Sequence, residues 1–157
     1  MLRYRKQHRV CCDVIPYYWN GQYHLFFLNG YADGSGWSRS QTPWSHLVCQ
    51  KIDQPLKLPD AIEPGVPSNM DGHACFTGSV ICHEGLWHIF YTGFAPLRTD
   101  GREHILHATS VDGVHFEKDT SFEPLAPDHH YYGADEDFRD PFVFWNEQEH
   151  CFCMTVT

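Results

Sequence analysis

The sequence predicts an all-β fold, the β-propeller, from three observations. Three segments share the order apolar run, polar turn, apolar run, at 17–27, 80–91 and 143–153. The histidines His24, His88 and His150 recur in these segments at nearly equal intervals. No stretch shows the 3.6-residue periodicity of a helix. A period in the low sixties, built of short strands and turns, is typical of four-stranded blades. A β-sandwich, the alternative, gives no reason for a fixed long period.

The elements follow in order along the chain. Two-residue hairpin turns are expected at Asn20-Gly21 and at Glu84-Gly85. A second pair of equivalent segments is expected about one period apart, at 44–49 and 110–115. Stretches rich in Pro and Gly predict surface loops over one face. These stretches are 30–44, 55–67 and 124–133.

Composition excludes several classes of protein. The 157 residues carry a net charge of −9 and are 42% hydrophobic and 15% aromatic. The aromatic content excludes a disordered chain, and the acidic balance argues against nucleic acid or an anionic membrane as partner. No run approaches the ~18 apolar residues of a membrane span. The odd count of seven cysteines, with no signal peptide, predicts free thiols and a cytoplasmic protein.

Metal-binding patterns are incomplete in the sequence. His104 and His107 form an H-x-x-H, and Cys151 and Cys153 form a C-x-C. Neither pair has a second half at zinc-site spacing, so we predict no metal site and no cofactor.

Two carboxylates occupy equivalent places in the repeat. Asp13 and Asp140 each begin the first apolar run of a repeat, whereas the middle repeat has Phe76-Thr77-Gly78-Ser79 there. Since the first strand of each propeller blade lines the central channel, both acids are expected at one mouth of it. Paired carboxylates fit glycoside hydrolysis. The alternative is that they cap strands or pair with arginine, for example Arg139.

Aromatic side chains around such a mouth suit the apolar faces of sugar rings. The candidates are Trp19, Trp37, Trp44 and Phe76. Glu136 and Asp137 lie close to Asp140 in a loop and are further candidate substrate contacts.

The order of these motifs resembles the N-terminal half of glycoside hydrolase family 32, the β-fructosidase group of levanases and invertases. That family has five-bladed β-propellers and is related to the arabinanase and xylosidase clan. The resemblance covers nearly the whole chain from Val10, and Arg139-Asp140-Pro141 is its most specific piece. The other pieces are Asp13 with the segment 17–27, then Phe76-Thr77-Gly78-Ser79, then 110–117.

The resemblance implies roles for these residues. Asp13 would be the nucleophile, or the base if the chemistry follows the inverting relatives. Asp140 would hold substrate hydroxyls and stabilise the transition state, with Arg139 beside it. The segment Phe76-Thr77-Gly78-Ser79 would line the sugar subsite.

Two departures from the family pattern bear on function. The usual Asn-Asp-Pro-Asn-Gly around the nucleophile is Cys12-Asp13-Val14-Ile15-Pro16 here, which bears on fructose specificity. The family's general acid is a Glu after the Arg-Asp-Pro motif, and beyond Asp140 the sequence has only Glu147 and Glu149, in a hairpin turn. We therefore expect this chain to lack the general acid.

The expected function is hydrolysis of terminal or internal fructofuranosyl-like linkages in an oligo- or polysaccharide. The alternatives are an arabinanase- or xylosidase-like glycosidase on the same fold, a non-catalytic carbohydrate-binding fragment and, more remotely, a metal-dependent hydrolase. The repeat predicts about two and a half blades in residues 10–157, a truncated propeller domain, with an N-terminal extension at 1–9. Open strand edges would favour self-association or a completing chain.

Overall fold

The structure, a computed structural model, describes residues 8–33, 36–133 and 137–157. In these ranges the regular secondary structure is entirely β, and no helix is long and apolar enough to cross a bilayer. The strands are β1 (Arg9–Trp19), β2 (Gln22–Asp33), β3 (Gly36–Trp37), β4 (Trp44–Cys49), β5 (Leu56–Lys57), β6 (Ala74–His83), β7 (Leu86–Phe94), β8 (Glu103–Ser110), β9 (Glu117–Lys118), β10 (Phe142–Asn146) and β11 (Cys151–Thr155).

The strands form antiparallel sheets with the topology of propeller blades. The first sheet has the order β1-β2-β4-β5, with β3 added to β2, and the second has the order β6-β7-β8-β9. The third consists of β10 and β11. The prediction of about two and a half blades is therefore confirmed. Strand β1 begins at Arg9, one residue before the predicted domain boundary.

Local turn chemistry explains the first two hairpins. Asn20 and Gly21 connect Trp19 to its partner Gln22, and both have positive φ, 46° and 80°. Glu84 and Gly85 do the same in the second blade, with φ of 49° and 84°. Positive φ at both central residues defines the type I′ turn, which matches the twist of paired strands. Both predicted turns are confirmed.

The third hairpin differs from the first two. Its turn has four residues, since Asn146 pairs with Cys151. His150 lies in this turn, whereas His24 and His88 are the third residues of β2 and β7. The predicted match of His150 to the other two histidines is therefore wrong, because the longer turn shifts the register.

The third strands of the blades show that a second expected match, between 44–49 and 110–115, is wrong. β4 corresponds to β8, because His46 Nε2 lies 3.0 Å from His24 Nδ1 and His107 Nε2 lies 3.1 Å from His88 Nδ1. The segment 110–115 instead starts at the last residue of β8 and forms the turn after it, in which the Ser110 hydroxyl accepts the Gly113 N–H and Asp112 accepts backbone N–H groups. The residue equivalent to His46 is thus His107, and the segment 110–115 has no counterpart in β4.

The main core lies between the first and second blades. Its largest fully buried side chains come from both sheets and include Phe26, Trp44, Ile89 and Tyr91. The Tyr17 hydroxyl accepts the backbone N–H of Cys82 across the interface at 2.9 Å. Strand β6 contacts both β1 and β10. The first strands of the three blades therefore lie side by side, the arrangement that brings residues of different blades to one channel.

Candidate active site

Two β-bulges position the residues at the start of the first two blades. The pairing of β1 with β2 shifts between Cys12 and Val14, and the pairing of β6 with β7 shifts between Phe76 and Gly78. The extra residues are Asp13 and Thr77, which occupy the same place in successive repeats. A bulge leaves one residue outside the ladder and re-aims its side chain. Here the Thr77 hydroxyl donates to Asp13 Oδ2 at 2.7 Å.

The bulge at Thr77 depends on the glycine that follows it. A Cβ on Gly78 would lie 1.9 Å from the Phe90 carbonyl oxygen and 2.7 Å from Tyr91 Cα, which are backbone atoms of β7. Only a residue without a side chain allows β6 to approach β7 this closely. Gly78 therefore fixes the position from which Thr77 reaches Asp13.

We expect Gly78→Ala to damage both stability and the site. Relief of the clash must move β6 away from β7, which we expect to cost about 1–3 kcal/mol of unfolding free energy. The same movement withdraws Thr77 from Asp13, so sugar affinity should fall in calorimetry. Gly21→Ala is the control for an added methyl group without a clash. No atom lies within 4 Å of the added Cβ there, although φ of +80° strains the backbone, so this variant tests the affinity for sugar and not the stability. An affinity for sugar unchanged by Gly78→Ala would contradict this role of the bulge.

A threonine connects the second carboxylate to the first. Thr92, fully buried on β7, donates its hydroxyl to the Thr77 carbonyl at 3.0 Å and accepts the backbone N–H of Asp140 at 3.0 Å. Asp140 has φ of +57°, and Asp13 has φ of +48°. These uncommon conformations are typical of functional sites held by their surroundings. The three hydrogen bonds join Asp13, Thr77, Thr92 and Asp140 into one chain across three blades.

A buried glutamate holds the segment before Asp140. Glu103, 3% exposed at the start of β8, accepts the Phe138 N–H at 2.8 Å and the Arg139 guanidinium at 3.1 Å. Arg139 also pairs with Asp137, whose other oxygen accepts from Arg102 at 3.0 Å. Paired in this way, Arg139 and Asp137 fix the loop that presents Asp140.

The carboxyl of Asp140 has a raised pKa. Partial removal from water is the largest cause, and the negative charges of Asp13, Glu103 and Asp137 add to it, while Arg139 opposes it. The influence of Asp13 on this carboxyl agrees with the placement of both acids at one site. A group with such neighbours is a functional-site candidate.

The raised pKa gives a pH dependence with a definite sign. A carboxyl that holds its proton more tightly in the folded state stabilises the protein fully below its unfolded pKa, about 3.9, and this contribution is lost as pH rises through the folded pKa. The unfolding free energy of the wild type should therefore fall relative to Asp140→Asn as pH rises from about 3 to 7.

Urea titrations at several pH values would measure this difference. Asp119→Asn is the control with the opposite sign, because hydrogen bonds from Ser121 and His107 lower the pKa of Asp119 to about 2. The stabilisation that Asp119 provides is lost as pH falls. A difference between the wild type and Asp140→Asn that rises with pH would contradict the assignment.

Two of the aromatic candidates pack on each other beside Thr77, and the other two lie elsewhere. Phe76 directly precedes Thr77 and stacks on Phe94, with ring centroids 4.6 Å apart. It is buried and therefore does not fit the predicted contact with sugar, whereas the half-buried Trp37, 5.8 Å from it, keeps an open side. Trp44 is fully buried, and its indole N–H donates to the Phe76 carbonyl at 2.9 Å, so it supports the start of β6 from the core. Its position does not fit the predicted contact with sugar.

Trp19 lies at the other end of its blade. It follows Asp13 by six positions along β1, a separation of about 20 Å in an extended strand. Its ring packs against Trp87, with centroids 5.9 Å apart, beside the first hairpin turn. The structure therefore does not bring Trp19 to the two acids.

Two further candidates differ from their predicted place. Ser79 is buried, and its hydroxyl accepts the Val143 N–H at 3.0 Å, so it positions β10 and does not face a ligand. Glu136 lies outside the described residues.

Sequence reasoning missed Thr92 and Glu103, which hold Asp140 and Arg139. Thr92 belongs to an apolar strand and gave no signal. Glu103 begins such a strand directly after Arg102, and an acid followed by an apolar run was the signal that identified Asp13 and Asp140.

Comparisons with known proteins agree with this fold. The model of the glycosyl hydrolases family 32 N-terminal domain matches residues 15–157. The chain is 33% identical over 141 residues to a sucrose-6-phosphate hydrolase of Zymomonas mobilis, in a match that covers 87% of this chain and 26% of that protein. It is 34% identical over 137 residues to a raffinose invertase of Escherichia coli, with coverage of 83% and 26%.

Solved structures show the same fold. An exo-inulinase of Aspergillus awamori superposes with a TM-score of 0.76 at 22% identity, over 98% of this chain and 34% of that one. A β-fructofuranosidase of Bombyx mori gives a TM-score of 0.70 at 26% identity, over 93% and 29%. The chain spans about a quarter of the length of the curated relatives it matches.

The family match and the fold lead to one assignment. The matched region starts inside β1 and runs through all three blades to Thr157. The strand order is that of about two and a half propeller blades. The chain therefore belongs to glycoside hydrolase family 32 and forms the N-terminal part of its five-bladed β-propeller.

Proposed function

We propose that this chain is the part of a β-fructosidase-type glycosidase that carries the nucleophile and the transition-state-stabilising acid. The observation that carries the proposal is the hydrogen-bonded chain from Asp13 through Thr77 and Thr92 to Asp140. Relatives named sucrose-6-phosphate hydrolase and raffinose invertase support a saccharide as substrate. The family match begins two positions after Asp13, so the role of Asp13 rests on the geometry.

In the proposed reaction Asp13 attacks the anomeric carbon of a fructofuranosyl unit. The Thr77 hydroxyl holds Oδ2, which leaves Oδ1 to form the bond as the glycosidic bond to the leaving oxygen breaks. Water then hydrolyses the glycosyl-enzyme ester. Asp140 accepts hydrogen bonds from hydroxyls of the sugar, and these bonds strengthen as positive charge develops on the ring. Trp37, which is half-buried and packs on Phe76, supplies an apolar surface.

We further propose that none of the three glutamates Glu103, Glu147 and Glu149 acts as the general acid. Glu103 is buried and committed to Phe138 and Arg139. Glu147 and Glu149 lie in the turn beyond β10, and Glu147 is separated from Asp140 by about 20 Å of extended chain. A natural substrate needs a proton on its leaving oxygen, whereas an aryl fructofuranoside releases a stable phenolate without one.

Two substrates test this proposal on the chain. An aryl β-fructofuranoside should be cleaved, with release of the phenol and slow or absent turnover of sucrose. Cleavage of neither substrate, together with no binding of either in calorimetry, would overturn the proposal. Equal and fast cleavage of both would overturn the part that concerns the general acid.

The second candidate function is carbohydrate binding without catalysis. It is favoured by the same two facts, the commitment of Glu103 to Phe138 and Arg139 and the distance of Glu147 from Asp140. Calorimetry would then show binding of a fructan or sucrose, and the aryl substrate would bind without release of phenol. Self-association, a completing chain and the cytoplasmic location stay predictions. An arabinanase- or xylosidase-like specificity is the remaining alternative, and an aryl arabinofuranoside in the same assay distinguishes it.

A further inference from the structure

Three potential metal ligands meet at the third hairpin, away from the two acids. The Glu149 carboxylate and the thiols of Cys151 and Cys153 have ligand atoms within 4.8 Å of one another. From these contacts we propose that Glu149, Cys151 and Cys153 bind one Zn²⁺ ion. The sequence showed a C-x-C without a second half. The structure adds a third ligand, Glu149, from the turn two positions before Cys151.

The strand geometry directs both thiols to one side. Cys151 and Cys153 alternate with Phe152 along β11, so their side chains project from the face opposite to the Phe152 ring. That ring packs on Trp145 and His83, with centroids 5.0 Å from each, against the second blade. The thiols therefore lie on the face turned away from that blade, where Cys151 is exposed and Cys153 is half-buried.

The distances fit a tetrahedral zinc site. With Zn–S of about 2.3 Å and Zn–O of about 2.1 Å, tetrahedral ligand atoms lie about 3.6–3.8 Å apart. Cys151 Sγ is 3.9 Å from Glu149 Oε2. The ligand atoms of the three residues lie at most 4.8 Å apart. A movement of about 1 Å at the ends of these side chains therefore brings them to the tetrahedral separation.

Asn146 prepares the turn for this role. Its Oδ1 accepts the N–H groups of Gln148 and Glu149, which fixes the backbone that carries the carboxylate. Its Nδ2 lies 3.5 Å from Glu149 Oε2 and 3.9 Å from Cys153 Sγ. In the described part of the chain Glu149 forms no ion pair, so a cation would be the first full positive charge at this carboxylate. Thiolate ligands favour Zn²⁺ over Mg²⁺ or Ca²⁺.

Zinc binding must displace the thiol protons to solvent, since thiolates are the ligands. Displacement of two protons predicts an affinity that increases about a hundredfold per pH unit below the thiol pKa values. Removal of one thiol should reduce this slope to about tenfold.

The test titrates the full chain with Zn²⁺ under a metal-free reductant, with Cd²⁺ as an optical probe of thiolate coordination. We expect one ion per chain, thiolate charge-transfer absorption with Cd²⁺, and protection of Cys151 and Cys153 from alkylation. The double variant Cys151→Ser/Cys153→Ser should lose all three. Cys11→Ser removes an exposed thiol elsewhere and should change neither the stoichiometry nor the absorption.

Glu149→Gln keeps the size of the third ligand and should weaken Zn²⁺ binding by tenfold or more. Circular dichroism of each variant verifies the fold. Stoichiometry and affinity unchanged in the double cysteine variant, or an affinity unchanged in Glu149→Gln, would overturn the site. The readouts do not involve sugar cleavage, so they are independent of the proposed function.

Discussion

Asp13→Asn is expected to lower the cleavage rate of an aryl fructofuranoside by about a thousandfold or more, a loss of about 4 kcal/mol of transition-state stabilisation. The amide cannot form the glycosyl-enzyme ester, because it is a poor nucleophile. Its carbonyl oxygen still accepts the hydrogen bond that Thr77 donates to Asp13 Oδ2. The fold around the bulge should therefore persist, and the loss should appear in kcat with little change in substrate affinity.

The measurement compares initial rates and single-turnover rates of the wild type and the variant. Asp53→Asn is a matched control, since Asp53 is an exposed aspartate in a loop outside the site. Its rates should equal those of the wild type. Full activity of Asp13→Asn would mean that another group attacks the sugar, and the role of nucleophile would then be wrongly assigned.

Trp44→Ala is expected to lower the unfolding free energy by about 3–5 kcal/mol, the range for removal of a large buried aromatic side chain. Trp44 is fully buried between the first two blades, and its indole N–H donates to the Phe76 carbonyl at 2.9 Å. The substitution leaves a cavity and removes the hydrogen bond to the Phe76 carbonyl. Because a domain of this size has only about 5–15 kcal/mol of stability, the variant should unfold at much lower urea concentration.

Urea unfolding followed by far-UV circular dichroism measures this effect. Tyr131→Ala is the control, because Tyr131 is 78% exposed and its loss should change the free energy by no more than about 0.5 kcal/mol. Calorimetry with sugar on the same variant separates two roles of Trp44. If Trp44 stacked on the sugar, Trp44→Ala would lower the affinity for sugar and leave the unfolding free energy unchanged. That result would contradict the buried position of Trp44.

Much of the fold could be predicted because its signals are local. Asn-Gly and Glu-Gly between apolar runs specify type I′ turns whatever surrounds them, and both turns occur at the expected residues. The place of His150 within its hairpin could not be predicted from local signals. A turn of four residues and a turn of two leave similar sequence spacings, and only the pairing of Asn146 with Cys151 distinguishes them.

The candidate site was predictable to a smaller extent. Asp13 and Asp140 stood out because acids at the start of apolar runs are unusual. Thr92 had no such signal, since a threonine in a strand is ordinary, and its importance comes from contacts with residues 15 and 48 positions away. Trp37 and Trp44 both belong to the stretch rich in Pro and Gly, yet the packing of two sheets decides that Trp44 is in the core and Trp37 is half-buried.

The sequence by itself determined the two hairpin turns, because these depend on neighbouring residues, and it predicted the repeat, the class of fold and the two acids, because a pattern of residue types recurs along the chain. The tertiary structure alone decided that Thr77 and Thr92 connect the acids, that Glu103 holds Arg139, and that Glu149 meets Cys151 and Cys153. These contacts depend on strand register, bulges and the packing of blades. Register and packing are set by long-range pairing, whose free energy is shared over the whole sheet.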